Sequence, residues 1–162
     1  MQGISSLTVI VVRLSLSYKK LDGKGDNKDD IPQASILVVD DDPDIAYVLK
    51  QGLLKNGFLV NAFTSPKEAL QSFQSNSEDY SLMLSDIRMP DMSGIRLARK
   101  VKEINPKVKV LLMTSFEIKD NEFSKVFPST QVDGFVQKPF QMKDLTDKIL
   151  DIIGQSKRRV YE

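Results

Sequence analysis

Residues 34–63, ASILVVDDDPDIAYVLKQGLLKNGFLVNAF, decide the fold, because a strand pattern gives way to a helical pattern and then to a second strand. Residues 36–39 are all apolar, which is typical of a strand buried on both faces. Asp42 and Pro43 suit the N-cap and the first position of a helix. Apolar residues then recur at helical spacing, at Ile45, Val48, Leu49 and Leu53. With a second strand at residues 59–63, this order predicts a parallel strand–helix–strand unit.

The same alternation continues along the chain. Ser65, followed by Glu68 three residues later, predicts a capping box that opens a second helix. Three more strands are predicted, at residues 80–84, 108–113 and 134–137. A short helix is expected at residues 120–127, and a longer amphipathic helix should end at Gly154. The pattern predicts an α/β fold with a five-stranded parallel, doubly wound sheet and right-handed crossovers.

The two ends of the chain lie outside this alternation. Residues 1–33 hold an apolar run followed by a mixed-charge linker, and we expect a poorly ordered extension rather than an added edge strand. The apolar run is too short to span a bilayer, and Arg13 interrupts it, so no membrane partner is expected. The domain predicted here covers residues 34–155, and residues 156–162 form a short basic tail.

Composition narrows the possible chemistry. The 162 residues include no cysteine and no histidine, which excludes thiolate and imidazole metal ligands and histidine-activated nucleophiles. The lack of cysteine also fits a cytoplasmic protein. The net charge of +1 creates no overall field that would attract nucleic acid. Any chemistry must therefore come from carboxylates, lysine, hydroxyl groups and the backbone.

Polar side chains stand at the carboxyl ends of four predicted strands. In chain order they are Asp40 and Asp41, then Asp86, then Thr114 and Ser115, then Lys138. Taken singly, each has an ordinary interpretation as a helix cap, a turn, a strand residue or a solvated charge. Because parallel sheets of this kind bind ligands at the carboxyl ends of their strands, the combination favours a functional site.

The residue types explain why they would be grouped. Carboxylates about 4 Å apart repel by roughly 4 kcal/mol per pair at an effective dielectric constant near 20. A hard cation with oxygen ligands, above all Mg²⁺, would offset that repulsion. Asp86 could then act as a carboxylate nucleophile that forms an acyl phosphate. Lys138 would neutralise charge on the phosphoryl oxygens, and the Thr114 hydroxyl could donate to them.

Four motifs together resemble the receiver domain of two-component response regulators. They are ILVVDDDP, LSDIRMPDMSG, the pair Thr114-Ser115 and KPF, and their order and spacing match over about residues 35–154. The resemblance implies a flavodoxin-like three-layer sandwich with Asp86 as the phosphoacceptor. It also implies that Mg²⁺, or Mn²⁺ in its place, is bound by Asp40, Asp41, Asp86 and the backbone carbonyl of Arg88.

By the same resemblance, other residues are expected to respond to the phosphate or to control the rate at which it is removed. Thr114 and Lys138 would contact the phosphoryl group, and Thr114 would form a switch with Phe135, where many members have tyrosine. Arg88 and Phe116 lie two positions after Asp86 and Thr114 and should border the path of the water that removes the phosphate. Because phenylalanine cannot hold that water, we expect a long-lived phosphorylated form.

The function expected on this basis is a phosphorylation-dependent signalling switch. It would take its phosphoryl group from a histidine kinase or a histidine phosphotransfer protein and act on a downstream protein target through protein contacts. Formation of a phosphorylation-dependent homodimer is an alternative that the sequence leaves open. It would not be an enzyme beyond Mg²⁺-dependent self-phosphorylation and self-dephosphorylation. Residues 155–162 are too few for a DNA-binding output domain, so the sequence predicts a stand-alone receiver without direct nucleic-acid contact.

Two other functions use a similar sheet. A phosphatase of the haloacid dehalogenase type needs a second aspartate two positions after its nucleophile, where this chain has Arg88. A flavodoxin-like electron carrier needs a loop rich in serine, threonine and glycine after the first strand, where this chain has three aspartates. Turnover of a small phosphate ester would favour the phosphatase, but the sequence favours neither.

Overall fold

A computed structural model describes residues 34–115 and 132–158, with side chains up to residue 154. Five parallel strands form one sheet: β1 (Ser35–Val39), β2 (Leu59–Phe63), β3 (Leu82–Asp86), β4 (Lys109–Thr114) and β5 (Gly134–Gln137). Their order is β2-β1-β3-β4-β5, so the chain reverses its direction across the sheet between β1 and β3. The predicted fold class is confirmed, and this reversal is where such sheets form a ligand crevice.

Helices flank the sheet, and their amino ends follow the predicted capping chemistry. The four described helices are α1 (Pro43–Lys55), α2 (Pro66–Ser75), α3 (Gly94–Ile104) and α4 (Met142–Arg158). The Asp42 carboxylate caps α1 by accepting the Asp44 N–H at 2.9 Å. The Ser65 hydroxyl caps α2 by accepting the Glu68 N–H at 3.4 Å. Both N-cap residues were predicted from the sequence, and Ser93 caps α3 in the same way.

Alternate residues of the central strands enter opposite cores. Ile36 and Val38 of β1 pack with α1 and α4, for example against Leu49 and Ile149. The intervening residues Leu37 and Val39 pack with α2 and α3, against side chains that include Phe73 and Leu97. Both faces of the inner strands are therefore buried, which explains why their sequences are mostly apolar rather than alternating.

The predicted apolar face of α1 is wrong at one position. Val48 is 60% exposed, and Ala46 is buried in its place. Ala46, Leu49 and Leu53 form the line that meets the sheet, since residues three and four apart share one side of a helix. Ile45, at the edge of that line, is half-buried.

Several predicted boundaries also differ. Tyr80 and Val108 are buried but precede their strands, which begin at Leu82 and Lys109. Gly154 does not end α4, which continues to Arg158. Among the described glycines, Gly57 alone has a positive φ, so Gly154 keeps a conformation that a helix tolerates.

Several predictions from the sequence concern other parts of the chain. The extension at residues 1–33, the short helix at residues 120–127 and the end of the basic tail lie outside the described residues. Within residues 34–115 and 132–158, none of the helices has the length and apolar character needed to cross a membrane.

Asp133 ties three elements together at the amino end of β5. Its carboxylate accepts from Lys102 Nζ of α3 at 2.9 Å, from Lys109 Nζ of β4 at 3.2 Å and from the Val110 N–H at 2.8 Å. Burial alone would raise the pKa of Asp133, but the bond from Lys102, the bond from the Val110 N–H and the nearby lysine charges outweigh it and lower that pKa. The folded state therefore favours the ionised carboxylate.

We expect Asp133→Asn to lower the free energy of unfolding at pH 7 by about 1 kcal/mol, because charge-assisted hydrogen bonds are lost from a site that solvent partly screens. A lowered pKa gives stability that is present above the ordinary aspartate value near pH 4 and is lost as the pH falls through the lower folded-state value. The difference between variant and wild type should therefore shrink below about pH 4. Urea unfolding at a series of pH values measures both effects.

Asp147→Asn is the matched control, because its partner Lys143 is exposed on the same helix. We expect little change in stability from that variant. Equal losses in the two variants would contradict the role given to Asp133.

Candidate functional site

The carboxyl ends of β1, β3, β4 and β5 surround one cleft of about 400 Å³. It is lined by Asp40, Asp41, Asp42, Ile45, Asp86, Ile87, Arg88, Met113, Thr114, Ser115 and Lys138. Every metal-binding and phosphoryl-contacting residue predicted from the sequence is in that set. The cleft lies where the strand order reverses, which is where sheets of this kind bind their ligands.

Asp40 and Lys138 are placed by hydrogen bonds that extend the sheet. The Asp40 N–H donates to the Phe63 carbonyl at 3.1 Å, and the Lys138 N–H donates to the Thr114 carbonyl at 2.7 Å. Asp40 is 2% exposed. One of its carboxylate oxygens accepts the Asp42 N–H at 3.0 Å, and the other accepts from Lys138 Nζ at 2.8 Å. Backbone pairing therefore fixes the main chain of both residues, and the hydrogen bond between their side chains fixes the side-chain ends.

Asp86 is the last residue of β3 and is 8% exposed. Its Oδ1 lies 3.0 Å from Lys138 Nζ. The backbone N–H of Arg88 acts on the same carboxyl group and lowers its pKa. A single ammonium group is thus shared by two buried carboxylates, those of Asp40 and Asp86.

This arrangement shifts the ionisation of both partners. Burial raises the pKa of Asp86, and the charge of Asp40 adds to that rise, while Lys138 and the Arg88 N–H act against it without cancelling it. Burial opposes the charge on Lys138, but its hydrogen bonds to Asp40 and Asp86 outweigh that effect and raise its pKa. Lys138 therefore stays cationic, and Asp86 is a carboxylate whose charge is only partly compensated.

The other predicted residues that line the cleft differ in their exposure. Asp41 and the Arg88 side chain are exposed at the mouth. Thr114 is the last residue of β4 and is 2% exposed. Across the sheet, its Cα pairs with Gln137 of β5.

The structure does not bring Phe135 into the cleft. Its Cα pairs with Leu112, and its side chain packs against the core on the α2 and α3 side. Lys148 Nζ lies 5.7 Å from the centre of its ring. The predicted switch role of Phe135 stays a prediction, and Phe116 lies outside the described residues.

Sequence reasoning missed Ser85 and Gly94. Ser85 is fully buried beside Asp86, and Gly94 begins α3 directly against the Asp86 carbonyl. The signal in the sequence was a single hydroxyl in an otherwise apolar strand, residues 82–85, and a glycine just after a serine N-cap.

The donor set fits a hard divalent cation. Asp40, Asp41 and Asp86 place three carboxylates at a cleft whose described cations are Lys138 inside and Arg88 at the rim. Oxygen ligands with an excess of negative charge are what Mg²⁺ prefers. In the described ranges no three acidic side chains are arranged to hold a metal ion. Lys138 contacts both Asp40 and Asp86.

Known proteins resemble this chain in sequence and in fold. The family model for the response regulator receiver domain matches residues 36–150. The response regulator receiver protein CpdR of Brucella abortus is 36% identical over 115 residues, which are 70% of this chain and 92% of CpdR. The DNA-binding transcriptional regulator NtrC of Proteus hauseri is 40% identical over 83 residues, 51% of this chain but 17% of NtrC.

A solved structure agrees with these matches. The CheY-like response regulator receiver domain protein from Methanospirillum hungatei superposes with a TM-score of 0.68 at 30% identity, covering 78% of this chain and 98% of the other. The likeness thus extends over nearly the whole of two relatives and over a small part of NtrC.

We expect Asp86→Asn to raise the free energy of unfolding of the metal-free protein at pH 7, because the amide removes a buried charge that Asp40 repels. A raised pKa means that ionisation of Asp86 costs stability as the pH rises above the ordinary aspartate value. The gain in the variant should therefore fade as the pH falls and the wild-type carboxyl becomes protonated. Thermal and urea unfolding between pH 5 and pH 8 measure it. A variant that is less stable than wild type at pH 7 would contradict the charge balance described above.

Proposed function

We propose, from the premise that this chain belongs to the response regulator receiver domain family, that Asp86 is its phosphoacceptor. Membership of the family makes the protein a phosphorylatable switch in two-component phosphorelay signalling. The observation that supports Asp86 is its place at the end of a central strand, 8% exposed, with Lys138 Nζ 3.0 Å from its carboxylate.

The proposed chemistry is transfer of a phosphoryl group to a carboxylate oxygen. An Oδ atom of ionised Asp86 attacks phosphorus, the P–N bond of a phosphohistidine donor breaks, and an acyl phosphate forms on Asp86. Lys138, held cationic by its two carboxylate partners, offsets the charge that builds on the phosphoryl oxygens. The donor is a histidine kinase or a histidine phosphotransfer protein.

Mg²⁺ is the proposed metal, with Mn²⁺ as a substitute. Asp40, Asp41, Asp86 and the backbone carbonyl of Arg88 would hold it, and when bound it supplies positive charge for the phosphoryl oxygens. Asp41 is the ligand that reaches solvent, so it is the one free to adjust when the ion arrives.

Signal output is proposed to begin at Thr114. Its buried position at the cleft would let its hydroxyl follow the phosphoryl group, and the space it leaves would admit Phe135 of the neighbouring strand. The protein would then act through contacts with a downstream protein or with a second copy of itself.

Arg88 and Phe116 are proposed to set the lifetime of the phosphate by bordering the path of the water that removes it. We place the protein in the cytoplasm, in keeping with its lack of cysteine.

Treatment with acetyl phosphate and Mg²⁺ should add one phosphate to the wild-type protein, seen by intact mass. Asp86→Asn should take up none, because the amide is not a nucleophile for phosphorus. Asp44→Asn is the matched control, since Asp44 is an exposed acid in the first turn of α1 and should leave labelling unchanged. Labelling that persists in Asp86→Asn would contradict the assignment.

Two neighbouring aspartates should differ in their effect on metal binding. We expect Asp41→Ala to weaken Mg²⁺ binding strongly, measured by calorimetric titration without any phosphodonor. Asp42→Ala should keep most of the Mg²⁺ affinity and instead lower the free energy of unfolding by about 1 kcal/mol, because Asp42 caps α1. Equal Mg²⁺ affinities in the two variants would show that the ligands are misassigned.

A further inference from the structure

Ser85 places a hydroxyl inside an apolar sheet. The residue is 0% exposed, and its Cα partners on the two neighbouring strands are Val39 and Leu112. A buried hydroxyl costs free energy unless it finds a hydrogen-bond partner. Ser85 Oγ donates to the backbone carbonyl of Asp86 at 2.9 Å. This serine therefore acts on the main chain of the residue proposed to carry the phosphate.

The peptide group that joins Asp86 to Ile87 is held at both of its polar atoms. Its carbonyl oxygen accepts the Ser85 hydroxyl, and its N–H donates to the Met113 carbonyl of β4 at 3.1 Å. With both atoms bonded, this peptide plane cannot rotate without breaking a buried hydrogen bond.

The next peptide group, between Ile87 and Arg88, is held at its carbonyl oxygen, which accepts the Gly94 N–H at 2.9 Å. The N–H of this peptide group acts on the Asp86 carboxyl group, since it lowers the pKa of that group. Hydrogen bonds thus hold two consecutive peptide planes after Asp86.

Gly94 makes this arrangement possible because α3 begins in contact with Asp86. A Cβ atom at position 94 would collide with the Asp86 carbonyl oxygen and would lie 3.0 Å from Ser85 Oγ. The Asp86 carbonyl oxygen belongs to the backbone, so it cannot move aside as the end of a long side chain can. Only glycine lets the helix start close enough for its N–H to reach the Ile87 carbonyl.

We propose that Ser85 and Gly94 are positioning residues for the phosphoacceptor: they orient the two peptide planes after Asp86 so that the Arg88 N–H meets its carboxylate. The proposal rests on the proposed function of Asp86 for its effect on phosphorylation, but the orientation itself belongs to the unphosphorylated protein. A fixed donor costs no reorganisation when the carboxylate reacts, which is the basis of electrostatic preorganisation.

The deciding variant is Ser85→Ala, which removes the hydroxyl and no other group. In nuclear magnetic resonance spectra of the metal-free full chain, the Arg88 amide proton should move upfield and exchange faster with solvent. With acetyl phosphate and Mg²⁺, the rate of phosphorylation should fall roughly fivefold, the factor expected for one hydrogen bond.

Ser85→Thr keeps the hydroxyl and should restore both the Arg88 amide signal and the rate of phosphorylation. Gly94→Ala should produce a larger change of the same kind wherever the variant folds.

Ser72→Ala is the matched control, since its hydroxyl bonds the Tyr80 hydroxyl at 3.1 Å, away from the cleft. It should leave the Arg88 amide and the phosphorylation rate unchanged. An Arg88 amide that is unaltered in Ser85→Ala, or that shifts as much in Ser72→Ala, overturns the positioning role. If wild type takes no label from acetyl phosphate, the proposed function of Asp86 fails, and the Arg88 amide still decides the role of Ser85.

Discussion

One ammonium group, that of Lys138, joins the carboxyl ends of three strands. It lies 2.8 Å from the Asp40 carboxylate after β1 and 3.0 Å from the Asp86 carboxylate at the end of β3, while its own main chain continues β5. Two buried carboxylates repel each other without such a cation, and loss of Lys138 would leave both uncompensated, a change that typically costs about 3 to 5 kcal/mol. The shape of the cleft therefore depends on Lys138 before any ligand arrives. The same group is in place to offset the charge of the phosphoryl group that we propose Asp86 accepts.

The short strand β5 lies between two ionic clusters: in the first, one acid is surrounded by cations, and in the second, one cation is surrounded by acids. Before it, Asp133 is surrounded by Lys102 and Lys109, which hold its carboxyl group ionised. After it, Lys138 is surrounded by Asp40 and Asp86, and burial still leaves the Asp86 pKa raised. The first cluster has an excess of cations around one acid and stabilises the fold. The second has an excess of acids around one cation, so a further cation, or protonation of Asp86, would relieve it.

Much of this structure could be predicted from the sequence because the relevant signals are local. Apolar runs marked the buried strands, Asp42 and Ser65 marked two helix starts, and the strand-end rule brought the acids and Lys138 to one edge. What failed depended on distant packing. The exposure of Val48 follows from how α1 lies on the sheet, which no residue within the helix specifies. The roles of Ser85 and Gly94 arise where a strand end meets the start of a helix eight residues later, and each residue is unremarkable in isolation.

The position of β5 also bears on how molecules of this protein behave in a crowded solution. β5 is an edge strand of the described sheet, four residues long, and a free edge can template the backbone of another chain. The template that β5 offers is four residues long, and charged residues in ionic clusters, Asp133 and Lys138, stand at its two ends. The edge is therefore short and closed off by charge on both sides, which is a recognised protection against aggregation. A four-residue edge with charged residues at both ends thus gives another chain little backbone to pair with.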